Sequence, residues 1–106
     1  ASEVLRIGEI ALDRRQLTVT RGGAPVDLST REFELLDYLM RNAGQTLSRE
    51  KIFREVWQTE YGDIGTVAIN IKNLRAKIGD NPRNPKWLHT VHGVGYRFED
   101  PTKQGQ

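Results

Sequence analysis

The chain has 106 residues, with 16 Lys and Arg against 14 Asp and Glu, and no cysteine. That length holds one small domain, and the missing thiols exclude a disulfide scaffold, a Cys-ligated zinc site and thiol catalysis. No apolar run is long enough to span a bilayer, and the first residues lack the basic start and apolar stretch of a signal peptide.

The formal net charge of +2 says little about partners, but its distribution says more. Residues 1–47 carry six basic and seven acidic side chains. Residues 70–97 carry Lys72, Arg75, Lys77, Arg83, Lys86 and Arg97 against Asp80 alone. A split of this kind points to nucleic acid or an acidic surface. A solvated helix face is the plain alternative.

The first 28 residues read as three or four short antiparallel strands. Leu5, Ile7, Ile10, Leu12, Leu17, Val19, Val26 and Leu28 recur mostly at a period of two, and Arg21-Gly22-Gly23 marks a tight turn. Ser29-Thr30-Arg31-Glu32 is a capping box that opens a helix, with Phe33, Leu36, Leu39 and Met40 on its apolar face. Gly44 is expected to end it. Ser48 caps a second helix, with Glu50 in its first turn and Ile52, Phe53, Val56 and Trp57 turned inward. Gln58 to Gly65 then reads as a loop.

A third helix is expected from about Ile64 to Ile78. Ile64, Val67, Ile71, Leu74 and Ile78 form its core stripe, and Gly79, Pro82 and Pro85 stop it. Trp87 to Val91 and Tyr96 to Glu99 form a hairpin around His92-Gly93-Val94-Gly95. Residues 101–106 read as a polar tail that frays.

Three helices followed by a hairpin make a winged helix-turn-helix. The fold class is α+β: an N-terminal antiparallel sheet, a three-helix core and a C-terminal wing, in one domain over about residues 1–100. In this arrangement the third helix lies in the major groove. Its outer face carries Thr66, Ile69, Asn70, Asn73, Lys72 and Lys77 and no acidic residue. Asn can bond adenine through both its amide atoms, and an exposed Ile69 can pack on a thymine methyl. Lys72, Arg75 and Lys77 suit phosphates, and the wing suits the adjacent minor groove.

Other chemistries find no support. Ser29 and Ser48 are caps rather than nucleophiles. His89 and His92 fall on opposite faces of a hairpin and have no carboxylate cluster beside them, so no metal site is expected. Gly93 and Gly95 sit in a hairpin rather than before a helix, so no phosphate-cradling loop is expected. No catalytic residue and no cofactor is expected. The six aromatics Phe33, Phe53, Trp57, Trp87, Tyr96 and Phe98 read as core. A winged helix used only for protein docking would carry an apolar outer face on its third helix, where Ile69 alone is apolar.

Four stretches stand in order: Leu28-Ser29-Thr30-Arg31-Glu32-Phe33-Glu34-Leu35-Leu36; Leu47-Ser48-Arg49-Glu50 with Val56-Trp57; Thr66 through Ile78; and Thr90-Val91-His92-Gly93-Val94-Gly95-Tyr96-Arg97-Phe98. Together they resemble the DNA-binding effector domain of the OmpR/PhoB family of bacterial response regulators, over about residues 5–99. The resemblance implies sequence-specific promoter binding, usually as a tandem dimer on direct repeats, in the cytoplasm. It implies base or groove contacts by Thr66, Ile69, Asn70, Asn73 and Thr90. Arg49, Lys72, Arg75, Tyr96 and Arg97 would meet the DNA backbone, and His92 the minor groove. Glu50, Trp57, Thr59, Glu60, Tyr61 and Asp63 match the segment that touches RNA polymerase. A receiver domain phosphorylated on Asp, and the sensor kinase that acts on it, would lie outside this chain. The isolated domain would be monomeric when free.

Three positions depart from the family pattern. Many members carry Arg where this chain has Asn73, and Arg where it has His92. An acidic–Arg pair often precedes the Thr-Val step, where Ile64-Gly65 stands here. The first two lower the positive charge presented to DNA, so the target sequence does not transfer from a relative.

Overall fold

The computed structural model describes residues 3–58 and 62–103. Strands β1 (Val4–Ile7), β2 (Ile10–Asp13), β3 (Thr18–Arg21) and β4 (Ala24–Val26) form an antiparallel meander in that order. Its register lines up Leu5, Leu12, Val19 and Val26 across the sheet. The period-two pattern therefore becomes one apolar face, with Leu12 and Val19 buried.

Helix α1 (Thr30–Arg41) begins with the expected capping box. Glu32 N–H donates to Ser29 Oγ, and Ser29 N–H donates to Glu32 Oε1. The helix ends earlier than the Gly44 expectation. Asn42 is the C-cap, and its Nδ2 donates to Tyr38 O at 2.8 Å. A side-chain amide thus satisfies an end carbonyl before Gly44 is reached. Gly44 N–H instead donates to Phe98 O, tying the turn to the C-terminal hairpin.

Strand β5 (Thr46–Ser48) was not foreseen. It joins β6 (Leu88–Val91) and β7 (Gly95–Phe98) in a three-stranded antiparallel sheet of order β5-β7-β6. Helix α2 (Arg49–Ile52) follows directly, capped by Ser48 Oγ, which accepts from Lys51 N–H. It runs on as a π-helical turn, Phe53–Trp57, which closes where Gln58 takes a left-handed φ of 55°. Helix α3 (Gly65–Ile78) ends at Gly79, whose φ of 75° is the left-handed cap expected of it. Arg21 Nη1 donates to Ile78 O and Gly79 O there, placing a cation on the helix's negative end.

The core lies between α1, α2 and α3 and is closed by the two sheets. Leu35, Leu36 and Leu39 meet Ile52, Val67, Ile71, Leu74 and Ile78, all buried. Of the six aromatics read as core, Trp87, Tyr96 and Phe98 are buried, while Phe33, Phe53 and Trp57 pack half-buried against the same cluster.

An ion pair with its carboxylate buried and its ammonium half-exposed ties α1 to α3. Glu32 is only 5% exposed, and its Oε1 receives Lys77 Nζ at 2.6 Å. Burial alone would raise its pKa. The hydrogen bonds and charge of Lys77, together with Ser29, outweigh it, so the carboxyl stays below its ordinary value. The unfolded chain therefore binds this proton more readily. The pair's stabilisation is present above the ordinary carboxylate range and is lost as pH falls through the folded pKa. Glu32→Gln is expected to cost about 1 kcal/mol at neutral pH. In urea titrations the gap from wild type should narrow on acidification to about pH 3; a gap constant with pH would exclude the charge as its source.

Candidate nucleic-acid interface

Local bonding fixes how α3 presents its face. Asp63 Oδ1 accepts from Gly65 N–H at 2.8 Å, and Asp63 O accepts from Thr66 N–H and Thr66 Oγ1. Asp63, matched in sequence to a polymerase-contact segment, thus opens the helix. Asn70 Nδ2 donates to Thr66 O one turn back, at 2.9 Å. Ile69, Lys72 and Asn73 are exposed, and Ile69 reaches 60%. With no acidic side chain on the helix, nothing on this face repels a phosphate.

A second surface adjoins it. A cleft of about 250 Å³ between the start of α2 and the wing brings together Arg49, Thr90, His92 and Tyr96. The strand pairing places them there. Ser48 pairs with Gly95, and Thr90 with Tyr96, so α2 starts against the wing strands. Arg49, Thr90 and His92 are exposed, while Tyr96 is 9% exposed, its ring forming the wall.

Not every residue expected at DNA reaches these surfaces. Arg97 follows Tyr96 on β7, so it points to the opposite side of the sheet. There its Nη1 donates to Thr46 Oγ1 and its Nε meets Glu99 at 2.5 Å. Lys77 is exposed along its stem, but its ammonium turns back to Glu32. Arg75 is half-buried, with Nε 3.2 Å and Nη2 3.1 Å from Leu88 O, and Nη2 2.6 Å from Thr90 Oγ1. The sequence concealed these attachments because, Glu99 beside Arg97 apart, each partner lies at least 13 residues away.

At the base of the α2–α3 connection, Trp57 stacks on Phe53 with centroids 5.6 Å apart. Arg31 covers the indole at 4.9 Å and donates to Val56 O. Glu50 is exposed in the first turn of α2. Thr59, Glu60 and Tyr61 lie outside the described residues. His89 and His92 are not joined: His89 faces Glu99 at 3.4 Å, and His92 sits at the wing tip. Among the described residues, no group of three His, Cys, Asp or Glu could hold a metal. No helix among them is long and apolar enough to cross a membrane.

Residues 23–98 match the family described as "Transcriptional regulatory protein, C terminal". The chain belongs to this family. It is a winged-helix DNA-binding domain of the OmpR/PhoB type, the output part of a response regulator, and not an enzyme. It is 42% identical to the sensory transduction protein RegX3 of Mycolicibacterium smegmatis over 97 residues, which is 91% of this chain and 42% of the relative. It is 45% identical to the transcriptional regulatory protein TrcR of Mycobacterium tuberculosis, over 95% of this chain and 39% of that protein. The chain thus spans about two fifths of these relatives' length. The RstA DNA-binding domain of Klebsiella pneumoniae, solved in complex with the RstA box, superposes with a TM-score of 0.86 at 31% identity. That match covers 92% of this chain and 98% of the other.

Proposed function

We propose that this domain reads promoter DNA in a sequence-specific way, with α3 in the major groove and the β6–β7 wing at the neighbouring minor groove. The observation that carries the reading is the acid-free face of α3 beside a cleft that gathers Arg49, Thr90, His92 and Tyr96. Asn73, Asn70, Ile69 and Thr66 face base edges, where amides and aliphatics discriminate. Lys72, Arg49 and Tyr96 meet the backbone, and Thr90 lies at the major-groove edge. The solved complex of the RstA domain with its box supports this mode at the level of fold and family.

Two copies on direct repeats would place their wings and helices about one helical turn apart. In the longer protein a phosphorylated receiver domain, set by a sensor kinase in the cytoplasm, would control this pairing. The α2–α3 connection, from the Phe53–Trp57–Arg31 stack through residues 59–63, is proposed to meet RNA polymerase.

The test is selection from random duplexes at two salt concentrations, followed by anisotropy titration of the winners. A short enriched motif, repeated at helical spacing and bound less tightly at high salt, is expected. Salt-sensitive binding with no motif would reduce the domain to a backbone binder, and no binding at low salt would sink the reading. On the selected site, Asn73→Ala should lower preference over scrambled DNA by about 1–3 kcal/mol at one base position. Lys72→Ala should weaken every duplex alike and flatten the log–log salt dependence by about one unit. Equal, sequence-independent losses in both variants would remove Asn73 from base reading.

A further inference from the structure

Strand β6 lies at the edge of its sheet, paired only with β7. An edge strand leaves alternate N–H and C=O groups unpaired and is a hazard unless covered. Here side chains from the end of α3 cover it. Trp87 O accepts from Glu99 N–H, so Trp87 faces the partner strand. The backbone N–H and C=O of buried Leu88 therefore point away from β7, and both are taken: the N–H donates to Asp80 Oδ2 at 2.8 Å, and the C=O accepts from the Arg75 guanidinium. The same guanidinium reaches Thr90 Oγ1, the next outward-facing position along β6. Arg75 thus occupies the place of a missing neighbouring strand, and it joins the helix assigned to the major groove to the strand that carries the wing.

We propose that Arg75 is a positioning residue, which straps the wing to α3 and orients the Thr90 hydroxyl, rather than a ligand of a DNA phosphate. The inference rests on the DNA-binding reading for its consequence and on the fold alone for its geometry. Three donor contacts to two oxygens on one strand require the planar fork of an arginine, which a lysine ammonium cannot reproduce. Because Thr90 Oγ1 accepts from Arg75, its own hydrogen is left to point outward. Thr90 is therefore set as a donor, suited to a phosphate or base acceptor at the groove edge. The wing and α3 then meet DNA as one rigid body.

The experiment compares Arg75→Lys, Arg75→Gln and Thr90→Val in the isolated domain. In the free protein, hydrogen exchange and ¹H–¹⁵N spectra of the 88–98 hairpin report the strap without DNA. Both Arg75 variants should speed exchange of the His89 and Val91 amides by tenfold or more, with Thr90→Val smaller in the same direction. On a selected duplex, both Arg75 variants should lose at least tenfold in affinity. Their salt dependence should keep the wild-type slope, because no phosphate contact is removed, whereas Lys72→Ala should lose about one unit.

A double-mutant cycle of Arg75→Gln with Thr90→Val should be strongly non-additive. The proposal is overturned if Arg75→Lys matches wild type in exchange and affinity while Arg75→Gln flattens the slope by about one unit, as loss of a phosphate contact would. Failure of wild type to bind any duplex would end the functional reading separately, with the exchange data still deciding the strap.

Discussion

Gly95→Ala is expected to destabilise the domain by about 3 kcal/mol or more, seen as a fall in the urea midpoint with little change in slope. Gly95 opens β7, opposite Ser48 on β5 and Val91 on β6. A Cβ there would overlap the Leu47 carbonyl and crowd Ser48 Cα. These are backbone atoms, so no side-chain rotation relieves the overlap. Either β5 leaves β7 or the wing tilts. Both outcomes disturb the Arg49–Tyr96 cleft, since Ser48 ends β5 and caps α2. Gly93→Ala is the control. Gly93 has a φ of 79°, and a Cβ there meets nothing within 4 Å. It should cost only the left-handed strain, roughly 1 kcal/mol. If Gly95→Ala cost no more than Gly93→Ala, the close packing of β5 on β7 would be refuted.

Why β5 escaped sequence reasoning follows from the same contact. Thr46-Leu47-Ser48 is too short to show a period of two, and its partner strand lies about fifty residues away. Nothing local distinguishes it from a loop that ends in a helix cap. The capping box at Ser29 and the Ile64–Ile78 stripe were legible because their physics is local: a side chain three residues from an amide, and apolar groups recurring at helical spacing. The π-helical turn was not legible, since Phe53–Trp57 is held by packing on α1 and by Arg31 reaching Val56 O across 25 residues.

The candidate interface divides along the same line. That α3 has an outward polar and cationic face could be read from periodicity. Whether each cation was available could not, because availability depends on what the other elements bring to it. Lys77 went to the α1 cap, Arg97 to the far side of its sheet, and Arg75 to β6. Residue type set the chemistry these groups can perform, and tertiary contacts set what each performs it on. The charge split between halves counted cations without their partners, and three of those it counted are bonded within the protein.

Asp80 carries a weight that its sequence context hides. It is the lone acidic residue between 70 and 97. It is 7% exposed, and its carboxylate accepts from the backbone N–H groups of Lys86, Trp87 and Leu88 at 2.7, 3.2 and 2.8 Å. Its own N–H donates to Arg75 O, so the turn after α3 is closed from both ends. Asp80→Ala would leave three inward-facing donors without an acceptor, each costing about 1–3 kcal/mol when buried.

Part of that loss is recovered as water enters beside Lys86, so a total of about 3–4 kcal/mol is expected. Asp80→Asn keeps one carbonyl acceptor and the shape, and should fall between the two. The wing would feel the change first: Leu88 N–H is one end of the β6 edge, and its release frees the hairpin from α3. DNA affinity of Asp80→Asn should therefore drop several-fold while the domain is still fully folded, although Asp80 is buried and its loss makes the domain more positive. Were charge alone in control, affinity would rise instead. The sign of that change, measured by anisotropy on the selected duplex at fixed salt, decides between placement of the wing and bulk charge as the source of binding.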